Sequence, residues 1–93
     1  MPEVDKILEE RGKRYGDFGH NADVAQALKA VVRSTGFIIP IAQSEALDLI
    51  FTKISRIVTG DFSYVDNWDD IAGYATLIAN RWREDAAPAK TPE

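Results

Sequence analysis

Apolar side chains recur every three or four positions in four stretches of the chain, the spacing of helices with one buried face. In the first stretch Val4, Leu8, Arg11 and Tyr15 share a stripe, with Ile7 beside it. This predicts a helix over about 3–15 that Gly16 ends in a left-handed conformation. Val24, Leu28, Val31, Val32 and several alanines form the face of a second helix over about 21–34, with Asn21 as its N-cap. Ser34-Thr35-Gly36 breaks it. The run Phe37-Ile38-Ile39-Pro40-Ile41 then reads as an extended connector, because Pro40 cannot continue a helix and biases Ile39 toward extended backbone.

A third helix is expected over about 44–59, with Ser44 as cap and Gly60 as stop. Its apolar residues Ala46, Leu47, Leu49, Ile50, Phe51, Ile54, Ile57 and Val58 spread over about 200° of the helix surface. A surface helix needs far less, so this one should be the buried centre of the fold. The fourth helix is expected over about 67–83, with Asp66 as cap, Asp69 in the manner of a capping box, and Trp68, Ile71, Ala75, Ile78, Ala79 and Trp82 on its apolar face. Residues 84–93 are rich in Ala, Pro and charge, which predicts a disordered tail. The expectation is therefore an all-α, four-helix bundle-like single domain over 1–83, with a central buried third helix and a disordered C-terminal tail.

Composition narrows the functions open to such a domain. A chain of 93 residues buries only about 60% of its unfolded surface, so a second copy would add needed apolar burial. The bulky connector Phe37 to Ile41 also needs a cover. A homodimer or higher homo-oligomer is expected, two-fold pairs being the commonest assembly. The net charge of −4, with no basic run, argues against nucleic acid as partner but leaves room for a local basic pocket. With no cysteine, disulfides and thiolate metal sites are excluded. The start Met-Pro-Glu-Val-Asp lacks the pattern of a signal peptide, and the longest apolar run is too short for a membrane span, so a cytoplasmic location is expected.

A few polar residues sit where the bland pattern does not want them. Lys53 falls inside the apolar arc of the third helix, where an ammonium is costly unless it reaches the edge, meets a carboxylate or meets a ligand. Asp70, at the border of the fourth helix's apolar face near Tyr74, is its natural partner. Glu45 and Asp48 lie one helical turn apart and face the same way, a spacing that suits Mg²⁺ when another helix adds a carboxylate such as Asp70. The alternative for that pair is a solvated first turn favoured by the helix dipole. Arg56 borders the same stripe and can meet a phosphate or an acid. Arg11, Lys13, Arg14, Tyr15, Gly16, Asp17, Phe18, Gly19 and His20 form a dense constellation at the first turn. Glycines let a ligand approach the backbone, arginine suits phosphate, and an aromatic ring can stack on a base. The same residues also read as a helix end followed by a turn. No nucleophile triad, phosphate-binding loop or dinucleotide fingerprint is present.

The segments Glu10-Arg11-Gly12-Lys13-Arg14-Tyr15-Gly16-Asp17-Phe18, Glu45-Ala46-Leu47-Asp48, Lys53-Ile54-Ser55-Arg56-Ile57 and Asp66-Asn67-Trp68-Asp69-Asp70-Ile71-Ala72-Gly73-Tyr74-Ala75 together resemble a family of small proteins encoded by tailed bacteriophages and prophages. That family has no assigned activity. The fourth helix is also distantly similar to the MazG-like, all-α nucleoside triphosphate pyrophosphatases, in the way Asp70 leads to Ile71 and Tyr74. The chain departs from that group's second carboxylate motif, where Asn67 replaces a Glu. A third likeness, of the Lys53/Arg56 helix followed by the Asp70/Tyr74 helix, is to a phage family associated with nucleotide kinases.

These readings predict a protein that binds a nucleotide or other small phosphorylated metabolite, with Mg-dependent nucleotide metabolism as its possible chemistry. The expected ligand residues are Arg14, Tyr15, Asp17, Phe18, His20, Lys53, Arg56, Asp70 and Tyr74, and the expected Mg²⁺ ligands are Glu45, Asp48 and Asp70. The alternative is a non-enzymatic module that binds a host defence or replication protein through Phe37 to Ile41 and Trp82.

Overall fold

The computed structural model describes residues 2–86, and all side chains among them except those of Arg14 and Tyr15. Four helices follow one another: α1 (Pro2–Tyr15), α2 (Phe18–Ser34), α3 (Ile41–Thr59) and α4 (Val65–Ala86). Among the described residues there is no strand. The chain is thus an all-α domain of four helices, and no helix in the described part is long and apolar enough to cross a membrane.

Three helices begin earlier than their apolar patterns suggest, and each has a local cause. Asp17, in extended backbone, caps α2 by accepting the His20 N–H at 3.1 Å. Asn21 is not the cap; it is buried, and its side-chain amide meets the Thr59 hydroxyl of α3. Helix α3 starts behind Pro40, whose fixed φ of −55° suits the position just before a first turn. The Ser44 N–H already bonds to the Pro40 carbonyl at 2.9 Å, so Ser44 lies inside the helix and Ile41 is not extended. At α4 the cap position passes from Asp66 to the preceding turn. The Asn67 N–H bonds to the Tyr64 carbonyl at 3.2 Å, and the Asp66 carboxylate accepts from the Tyr64 hydroxyl at 2.8 Å.

Helix α4 also continues to Ala86, because Glu84 and Ala86 favour helix and the first breaker in the sequence is Pro88. The rest of the expected tail, 87–93, lies outside the described residues. Gly16 does take the expected left-handed conformation, with φ 77°. It also lets α1 approach α3 closely: a Cβ at this position would lie 1.9 Å from the Thr59 carbonyl oxygen.

The helices make an open layer. Helix α3 runs through the middle, packed by α2 on one side and α4 on the other, while α2 and α4 do not touch. Helix α1 leans on α3 and α2 only. Contacts across α3 show how its wide apolar arc is used. Thr52 and Thr59 face α2, where they meet Lys29 and Asn21, and Gln43 and Lys53 face α4, where they meet Trp82 and Asp70. Burial is thin: among the described residues Ala25, Ala46 and Ile57 are the buried apolar ones, joined by the polar Asn21, Ser55 and Asn67.

Candidate functional site

Helices α1, α2 and α3 enclose a cleft of about 560 Å³. Leu8, Arg11 and Gly12 of α1 form one wall, Phe18, Gln26 and Lys29 of α2 another, and Thr52, Ser55 and Arg56 of α3 the third. The α1–α2 turn, Gly16-Asp17, closes one end. Its left-handed glycine and its capping aspartate together bring the ends of α1 and α2 onto the C-terminal turn of α3.

The cleft is cationic within an acidic chain. Arg11, Lys29 and Arg56 line it, against one carboxylate, Asp17, which is already engaged with the His20 N–H. The Lys29 ammonium donates to the Thr52 hydroxyl at 3.2 Å, and that hydroxyl donates to the Asp48 carbonyl at 3.2 Å. Ser55, fully buried, donates to the Thr52 carbonyl at 2.6 Å. These bonds fix the α3 wall and hold Lys29 against it. Phe18 stands at the rim and is 83% exposed, so its ring is open to a stacking partner.

The expected ligand residues do not form one site. Asp17, Phe18 and Arg56 line the cleft. Arg14 and Tyr15 occupy the last turn of α1, with side chains outside the described residues. His20 is exposed in the first turn of α2; its backbone caps to Asp17, and its side chain is not part of the lining. Lys53 and Asp70 find each other instead, at 2.7 Å across the α3–α4 contact, with Tyr74 half-buried one turn further along α4. Helix α4 contributes nothing to the cleft lining. The reason is rotational: Thr52, Ser55 and Arg56 mark the cleft side of α3, and Lys53 is turned about 100° from Thr52, toward α4.

The expected Mg²⁺ set is likewise not assembled. Among the described residues no three His, Cys, Asp or Glu side chains gather as a metal site would need. Asp70 is committed to Lys53, while Glu45 is exposed and Asp48 half-buried earlier on α3.

Arg11, from the constellation at the first turn, also lines the cleft, and Lys29, Gln26 and Thr52 complete it without having been singled out in the sequence as ligand residues. One signal for Lys29 was in the sequence: it lies four residues after Ala25, on the flank of the α2 stripe that packs on α3. A family model described as a domain of unknown function (DUF6378) matches residues 2–82 of the chain. No curated protein and no solved structure matches it.

Proposed function

We propose, for a chain that belongs to the DUF6378 family of domains of unknown function, that the α1–α2–α3 cleft binds a nucleotide or related phosphorylated metabolite. The observation that carries this reading is the convergence of Arg11, Lys29 and Arg56 on one cleft in a chain of net charge −4. Concentrating cations in a concave, partly desolvated site favours an anion far more than the same charges spread over a surface. The volume falls in the range of about 300–1,000 Å³ typical of small-molecule sites. Arg11 and Arg56 would hold phosphate oxygens, and Phe18 at the rim would stack on a base.

The sequence resemblance to phage proteins, including those associated with nucleotide kinases, supports the same ligand class. It also suggests a protein working in the cytoplasm of a phage host. Hydrolysis of the MazG-like kind is not part of the proposal, because Asn67 replaces a carboxylate and Glu45, Asp48 and Asp70 do not gather. The reading is of a binding protein.

A thermal-shift series with nucleosides and their mono-, di- and triphosphates, each with and without Mg²⁺, tests it. Phosphorylated ligands should raise the melting temperature and bare nucleosides should not. Arg56→Gln and Lys29→Met should each weaken binding by about tenfold, the loss of one charge-assisted contact. No shift at millimolar concentration of any phosphorylated ligand would overturn the proposal. The runner-up, a contact module for a host protein, draws on the exposed Phe37, Ile38 and Ile41.

A further inference from the structure

The three helices of the layer each carry two opposed stripes. On α3, Thr52, Ser55 and Arg56 face the cleft, whereas Leu47, Phe51, Ile54 and Val58 recur at i, i+4, i+7 and i+11 on another side. None of these four is buried, and Val58 is 63% exposed. On α2, Val24, Leu28 and Val31 lie opposite the cleft-lining Ala22, Gln26 and Lys29. On α4, Trp68 and Trp82 lie away from Asp70, with Ala75 and Ala79 between them on the same stripe. The polar groups of the layer thus gather on the face that α1 partly covers. The apolar stripes gather on the other face, which none of the four helices covers.

We infer that this second face is where another copy of the chain docks, layer against layer about a two-fold axis. Helical domains bury their apolar stripes between two packed layers, and this chain supplies one layer and part of a second. Trp68, Trp82, Val58 and Val31 are each more than half exposed, and the half-buried Val24, Leu28, Leu47, Phe51 and Ile54 lie on the same stripes. The four exposed side chains alone offer about 500 Å², the larger part of the roughly 800 Å² that a stable interface needs from each partner. A charged partner is not favoured, because the stripes themselves carry no charged side chain. A second copy brings the matching apolar stripe with it.

Sedimentation equilibrium of the full chain at tens of micromolar tests the proposal. A dimer mass is expected. Val58→Glu, at an exposed position, should keep the helical circular dichroism and weaken dimerisation by about a hundredfold, since a two-fold axis buries the new carboxylate twice. The chain has no cysteine, so Val58→Cys can carry a single spin label. Doubly labelled dimers should then show a defined intermolecular distance by pulsed electron resonance. A monomer mass for the unaltered chain would overturn the inference. So would a dimer that Val58→Glu leaves intact, or labels without intermolecular coupling. Nucleotide binding is read separately by thermal shift, so either proposal can fail alone.

Discussion

Lys53 shows what a misplaced charge can mean. Its side chain is 14% exposed and its amine lies 2.7 Å from Asp70, whose side chain is 43% exposed. The pair is lopsided: the cation is largely desolvated, and the acid still touches water. Asp70→Ala should therefore cost about 1–3 kcal/mol, because it strands a sunken ammonium. Lys53→Met keeps the apolar stem and leaves a carboxylate that water can reach, so it should cost less than about 1 kcal/mol. Urea denaturation of both variants checks the order, and equal losses would contradict it. Asn67 is the opposite case. It is 1% exposed, and neither its Oδ1 nor its Nδ2 has a hydrogen-bond partner among the described residues. Leucine has the same number of side-chain heavy atoms and no polar ones. Asn67→Leu should raise stability by about 1 kcal/mol or more, read as a higher urea midpoint at unchanged slope.

At the scale of elements, the turn after α1 sets the geometry of the cleft. Gly16→Ala would meet both a left-handed φ and a Cβ 1.9 Å from the Thr59 carbonyl oxygen, so α1 or α3 must shift. A loss of about 2–4 kcal/mol is expected, visible as a lower melting temperature. Gly36→Ala shares the positive φ without the close contact and should cost only about 1 kcal/mol. The number of helices and the central place of α3 were legible in the sequence, because periodicity reports which positions want burial. Helix starts were less so: Asp17 and Pro40 act through backbone geometry, which leaves no periodic trace. The site was half legible. Residue type marked Lys53 as anomalous, but which neighbour it meets depends on rotation about α3 and on the order in which α2 and α4 flank it. Lys29 was overlooked because a lysine beside an apolar stripe looks like ordinary surface until a third helix closes over it.

For the whole molecule, docking of a second copy on the open layer, as inferred above, would make association part of stability. Among the described residues the buried apolar side chains are Ala25, Ala46 and Ile57, a small set for four helices, so added burial against a second copy would contribute noticeably. The melting temperature should therefore rise with protein concentration, and a midpoint constant over a hundredfold range would contradict this. A different consequence follows from α1. Every described side chain from Pro2 to Lys13 is exposed, and a helix of 14 residues is marginal on its own in water. Such a helix opens locally at small free-energy cost. If the cleft takes a ligand as proposed, the wall that carries Arg11 would act as a shutter hung on Gly16, and tightness of capture would scale with the fraction of time it stands closed. Substitutions on the outer side of α1 that merely favour helix would then sharpen capture from a distance, without altering a single atom that the ligand meets.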